Sequence, residues 1–245
     1  MLHLARKVCG ATIRAADGDI GTLEDFYFEE GRWTVRYLLV DTGRWMSGKK
    51  VLLSPMSVVG EWNAEQVRVS LNKQQVWDSP AFDPQGPFSH DHETQVLGHF
   101  GYPYYWGASG VWGTFDYPAA LLTASSVSAA DSARREGINP ESRNLRSTNK
   151  STGYHVQATD GEIGHVDDFL IGEESWRIRY LLVDTSNWIG GKSVIVSAEA
   201  IQRTDSERAK LHVGVTREAV KHSPSFDSIE SALDTRETGP PFVII

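Results

Sequence analysis

One pattern occurs twice in this chain, 143 residues apart and without a gap, and that duplication limits the possible folds more than any other feature. Asp17-Gly18-Asp19-Ile20-Gly21 returns as Asp160-Gly161-Glu162-Ile163-Gly164. Trp33-Thr34-Val35-Arg36-Tyr37-Leu38-Leu39-Val40-Asp41-Thr42 returns as Trp176-Arg177-Ile178-Arg179-Tyr180-Leu181-Leu182-Val183-Asp184-Thr185. Between residues 17 and 54, roughly 20 of 38 positions are identical to their partners in 160–197, as expected of a duplicated unit. So long a period is too large for a solenoid of small repeats, and each copy should be a small domain with its own core. A chain of 245 residues has room for two such cores and a connector.

In the first copy, Val8 to Ala15 and Ile20 to Phe28 are β-rich runs around Asp17-Gly18-Asp19, a turn in which Gly18 supplies a positive φ. Trp33 to Asp41 alternates its side chains and ends apolar on both faces, which marks a strand central to a closed or nearly closed sheet. Lys50 to Ser54, Val58-Val59 and Val67 to Leu71 add short strands, about six per copy. Asn72 and Thr216 are N-cap residues that open a short helical turn in each copy, and each turn ends in Ser-Pro. Many short strands, frequent turns and no long amphipathic helix predict a mainly β fold of two small barrels in tandem with short helices.

The connector differs in character. Asp91 to Phe100 has the spacing of a helix, and the aromatic run Tyr102-Pro103-Tyr104-Tyr105-Trp106 follows it. From Gly107 to Lys150 the sequence turns to Gly, Ala, Ser, Thr and Asn, a composition that does not readily bury a core and reads as a flexible linker. The expected division is a first domain over 1–83, a connector over 84–150 (aromatic in 91–115, flexible in 116–150), a second domain over 151–228 and a tail over 229–245.

The order Asp-Gly-x-Ile-Gly, Asp-Phe, Trp-x-[Val/Ile]-Arg-Tyr-Leu-Leu-Val-Asp-Thr, Gly-Lys and a short strand ending in Ser resembles the PRC-barrel family over about residues 3–83 and 151–228. The family is named for the cytoplasmic domain of the photosynthetic reaction centre H subunit. Similar barrels form the C-terminal domain of a ribosome-maturation factor. The resemblance implies a tandem of PRC-type β-barrels that act as non-catalytic interaction modules. It implies a scaffold or adaptor that binds a protein partner or itself, with peripheral association at the cytoplasmic face of a membrane compatible with that role. Unlike the H subunit, this chain begins directly with barrel sequence, and unlike the ribosome-maturation factor it carries two barrels.

Charge and cysteine content narrow the classes further. The net charge is −8, most of it in residues 151–245, and an acidic surface repels phosphates, so nucleic acid is a disfavoured partner. The single cysteine, Cys9, forms no internal disulfide, and no Cys-x-x-Cys spacing is present. With no apolar run long enough for a signal peptide or membrane span, a cytoplasmic protein without cofactors is expected.

Four sets of residues are candidates for chemistry. Asp17-Gly18-Asp19 and its repeat suggest a calcium loop, but Ile20 and Leu23 intrude and a hairpin turn is the favoured reading. Asp25 with Asp41, and Asp168 with Asp184, could act as acid–base pairs in an enzyme. Against this, Asp41 and Asp184 suit a strand end, bonding backbone amides or pairing with Arg36 and Arg179, so no catalytic residue is assigned. His90, His92 and His99 are chemically able to bind zinc or nickel, as a small-ligand or metal-binding stress protein would, but a solvated helix start is the favoured reading. Tyr102, Tyr104, Tyr105, Trp106 and Trp112 are residue types that dominate interface hot spots; they either fill a groove of their own barrel or form a docking site for a partner. Trp45 and Trp188, in loops between strands, pose the same choice, with packing favoured.

Overall fold

The computed structural model describes residues 1–43, 47–86, 88–106, 109–124, 144–185, 192–223 and 225–226. Trp45, Trp188, the 125–143 part of the connector and the expected tail at 229–245 lie outside the described residues. The first part of the chain forms β1 (Leu2–Leu4), α1 (Ala5–Val8), β2 (Thr12–Ala15), β3 (Gly18–Glu29), β4 (Thr34–Asp41), β5 (Lys50–Leu53), β6 (Gln66–Arg68) and α2 (Lys73–Trp77). The connector forms α3 (His90–Phe100), α4 (Pro118–Ala124) and β7 (Leu145–Ser147). The second repeat forms α5 (Thr148–Ser151), β8 (His155–Ala158), β9 (Gly161–Gly172), β10 (Ile178–Asp184), β11 (Ser193–Ser197), β12 (Ile201–Asp205), β13 (Lys210–Val213) and α6 (Arg217–His222).

The repeated motif explains why each copy folds as it does. The Gly18 and Gly161 turns, with φ of 133° and 150°, lead from β2 into β3 and from β8 into β9. A Cβ on Gly21 would lie 2.1 Å from the Asp41 carbonyl oxygen, and one on Gly164 would lie 2.0 Å from that of Asp184. Only glycine lets β4 and β10 pass this close. Asp17 and Asp160 accept the backbone N–H groups of Lys73 (2.9 Å) and Arg217 (2.7 Å), the first residues of α2 and α6. Lys49 donates to the carbonyls of Trp77 and Ser79, and Lys192 to those of Lys221 and Ser223, at the other end of the same helices. Each short helix is therefore held by a carboxylate at its start and an ammonium at its end, the sense its dipole favours. Asn72 and Thr216 cap these helices as expected.

The fold is mainly β. One sheet has the order β5-β4-β3-β2-β6 with β7 added on β3; the other runs β11-β10-β9-β8-β13-β12 with β1 added on β9. Among the described residues neither sheet pairs its last strand with its first, so the hydrogen-bonded sheets are open and not the closed or nearly closed ones the sequence predicts. Long β3 and β9 reach their several partners by bending, and the register of the β3–β4 pairing shifts between Leu23 and Asp25 and again between Tyr27 and Phe28. The run Val8 to Ala15 is not one strand, because Ala5–Val8 is helical and Gly10, with φ of 97°, turns the chain before Thr12.

The compact units are not contiguous in sequence. Unit 1 comprises Met1, Lys7–Ser147 and Glu173–Arg177; unit 2 comprises Leu2–Arg6, Thr148–Gly172 and the chain from Ile178 onward. The strand that precedes the second repeat, β7, pairs with β3 in unit 1, matching Tyr27 with Ser147 and Glu29 with Leu145. The strand that precedes the first repeat, β1, pairs with β9 in unit 2, matching Leu2 with Gly172 and Leu4 with Leu170. Each unit thus holds the leading arm of the other repeat. Within the 116–150 stretch expected to be flexible, α4, β7 and the start of α5 are formed elements.

Candidate interaction site

Unit 1 owes its distinct character to the connector. Arg36 sits on β4 with its side chain fully buried, where its Nε and Nη2 donate to Glu29 Oε2 at 2.9 and 2.5 Å. Its guanidinium lies 4.0 Å from the ring centre of Tyr105 and 4.7 Å from that of Trp112, so the aromatic run supplies cation–π faces to a charge withdrawn from water. Beside it, Tyr37 Oη donates to Glu93 Oε1 at 2.9 Å, and Tyr105 Oη donates to the same oxygen. Burial first, and the nearby Glu93 carboxylate second, hold both tyrosine hydroxyls well above the ordinary tyrosine range. Glu93 comes from α3, whose N-terminus is capped by Ser89, with Gly101 at φ 68° ending it. Arg179, by contrast, is exposed, and the position matching Glu29 is Gly172.

Three tryptophans fix a second feature of unit 1. Trp112 Nε1 donates to the Ser175 carbonyl at 2.9 Å, Trp62 Nε1 donates to that of Glu173 at 3.3 Å, and the Trp176 carbonyl accepts from Val35 N at 2.8 Å. Trp62 and Trp176 stack with ring centres 4.5 Å apart, next to Phe26. Around this stack opens a groove of about 660 Å³ lined by Met56, Val58, Tyr117 and Pro118 together with Glu61, Glu173 and Glu174. Tyr117, at the start of α4, is 51% exposed.

The aromatic candidates divide. Tyr105 and Trp112 are buried in unit 1 around Arg36, and Tyr104 and Trp106 are half-buried and stacked on each other at 4.6 Å. Tyr102 is half-buried, and burial pushes its hydroxyl up to about 12. The histidines do not converge. His90 Nδ1 lies 3.7 Å from Glu93 Oε2, His92 packs on Phe82 and Phe88, and His99 bonds the Gln75 carbonyl. Burial lowers the pKa of His92. Among the described residues no group of three or more His, Cys, Asp or Glu side chains is placed to hold a metal ion. Neither Tyr117 nor the Glu61–Glu174 rim is legible in the sequence, because a lone tyrosine after Asp116 and glutamates from distant segments leave no local pattern.

Residues 150–220 match the family model of the PRC-barrel domain. The second repeat is a PRC-barrel domain. A search of curated proteins finds no match. The matched region runs from the last two residues of α5 to the first four of α6.

Within this PRC-barrel domain Asp168 serves the incoming arm. Its Oδ1 accepts the Phe169 N–H at 2.7 Å and the Arg6 N–H at 3.1 Å, while Arg6 donates its guanidinium to Asp167. Asp25, the matching residue of the first repeat, likewise accepts from Phe26 N and from Ser147 Oγ of the other arm. Asp41 bonds the Gly43 amide and Asp184 lies 3.6 Å from His165 Nε2, so each aspartate is engaged separately. Arg36 pairs with Glu29 and not with Asp41. Asp168 Oδ2 is buried without a hydrogen-bond partner, and desolvation raises this carboxyl above the ordinary aspartate value of 3.8 against the pull of its two amide donors. A raised carboxyl favours the protonated folded state, so its contribution to stability is present below 3.8 and is lost as pH rises through the folded-state pKa. Asp168→Asn keeps an acceptor for both amides and removes the buried charge. It should be more stable than the parent at neutral pH by up to about 1 kcal/mol, with the difference shrinking as pH falls toward 3.8. Urea midpoints of both proteins across that range are the measurement.

Proposed function

We propose that this PRC-barrel protein is a non-enzymatic scaffold that binds a protein partner through unit 1. The observation that carries this reading is the contrast within unit 1. The ionisable residues of the repeated motif hold helices, turns and arms, whereas the groove beside Tyr117 presents aromatic, apolar and carboxylate groups to solvent. Concave surface with exposed aromatic area suits recognition. No described helix is long and apolar enough to cross a membrane. The test is size-exclusion chromatography of the tagged full chain in extract of its source cells. The expected result is a salt-sensitive complex larger than the chain alone, and elution as free monomer at every salt concentration would refute the scaffold reading.

A further inference from the structure

We propose that the groove of unit 1 receives a segment of a protein partner that carries Lys or Arg side chains, an assignment that rests on the scaffold reading above. Among the described residues the lining contains three carboxylates and no Lys, Arg or His. Glu173 is already engaged by the Met1 amino group at 3.4 Å. Glu61 and Glu174 are exposed and make no ion pair with any described residue. Arg68 lies beside Gly60, where an added Cβ would come within 2.8 Å of its Nη2.

Between these carboxylates the groove is apolar, with Met56, Val58, Pro118 and the half-exposed ring of Tyr117. Long cationic side chains match this combination: the methylene stem lies along apolar surface while the charged head reaches a carboxylate or the face of an aromatic ring. A volume of about 660 Å³ accommodates one or two such side chains. The same carboxylates, on a chain of net charge −8, repel phosphodiesters and acidic lipid headgroups, so nucleic acid and anionic membranes are the wrong partners for this surface.

The test titrates the full-length protein calorimetrically with a short capped peptide of alternating arginine and leucine, and with the same peptide carrying citrulline, neutral and nearly isosteric, in place of arginine. At about 0.1 M salt the arginine peptide should bind about fivefold more tightly than the citrulline peptide. The Glu61→Gln/Glu174→Gln protein should lose that preference, and Tyr117→Ala should weaken binding of the arginine peptide. All three positions are exposed, so the melting temperature should not change. Equal affinity for the two peptides, an unchanged preference in the double variant, or tighter binding to anionic phospholipid vesicles than to the arginine peptide would overturn the assignment. If the complex in extract forms with the double variant as it does with the parent, the groove assignment fails and the scaffold reading stands. A chain that stays monomeric in extract yet discriminates the two peptides sinks the scaffold reading instead.

Discussion

Replacing Leu2 and Leu4 by alanine should unfold the second unit, although both residues stand at the opposite end of the sequence. Their side chains are buried with Leu170, Leu182 and Ile195, against Tyr180 and Phe226. Their backbone extends the sheet along β9. Truncating a buried leucine to alanine costs about 2–5 kcal/mol, and the double change should fall near 5 kcal/mol because a terminal strand relaxes into part of the space it leaves. The decisive measurement is residue-resolved amide exchange. Protection should fall across β10 and β11, the strands that carry Leu182 and Ile195, while β4 and β5 retain theirs. If protection fell in β4 and β5 instead, the N-terminal arm would belong to its own repeat.

That arm shows where sequence reasoning stops. The repeat, its turn glycines, the strand of Thr34–Asp41 and the caps at Asn72 and Thr216 are legible because each rests on a local requirement: a positive φ, an alternation, or a side chain that reaches an amide two or three residues on. A strand of three residues such as Leu2–Leu4 has no period to detect, and its partner is decided by surface that becomes available far along the chain. The same holds for Trp33 and Trp176. They are one letter in one motif and both take a positive φ, yet Trp33 stacks on Phe28 while Trp176 is buried on Trp62. Arg36 and Arg179 are likewise identical in the motif. The first is buried because Glu29 and the connector aromatics converge on it, and that convergence leaves its only sequence trace in the Glu29-to-Gly172 difference and in the aromatic run that follows the first repeat alone.

Glu29→Ala should therefore be among the most damaging single substitutions in unit 1. It removes the carboxylate that accepts two donors from Arg36 and strands a guanidinium whose side chain has no measurable exposure. Breaking a buried ion pair from one side costs about 3–5 kcal/mol, because the remaining charge is left in a low-dielectric site. The two rings over Arg36 offset only part of this, at about 2 kcal/mol for a desolvated cation. Arg36→Met in the same chain removes the stranded charge and keeps most of the volume between Tyr105 and Trp112, so the double variant should be more stable than Glu29→Ala alone. Urea unfolding of the four proteins of that cycle measures the coupling directly. A cost below about 1 kcal/mol for Glu29→Ala, or additive effects in the cycle, would mean that water reaches Arg36 and that the pair behaves as a surface one. The sign of the coupling also bears on the connector. If Arg36 organises Tyr105 and Trp112, the near-ultraviolet dichroism of the aromatic cluster should weaken in Arg36→Met even where stability is retained, since the rings would lose the charge that fixes their orientation.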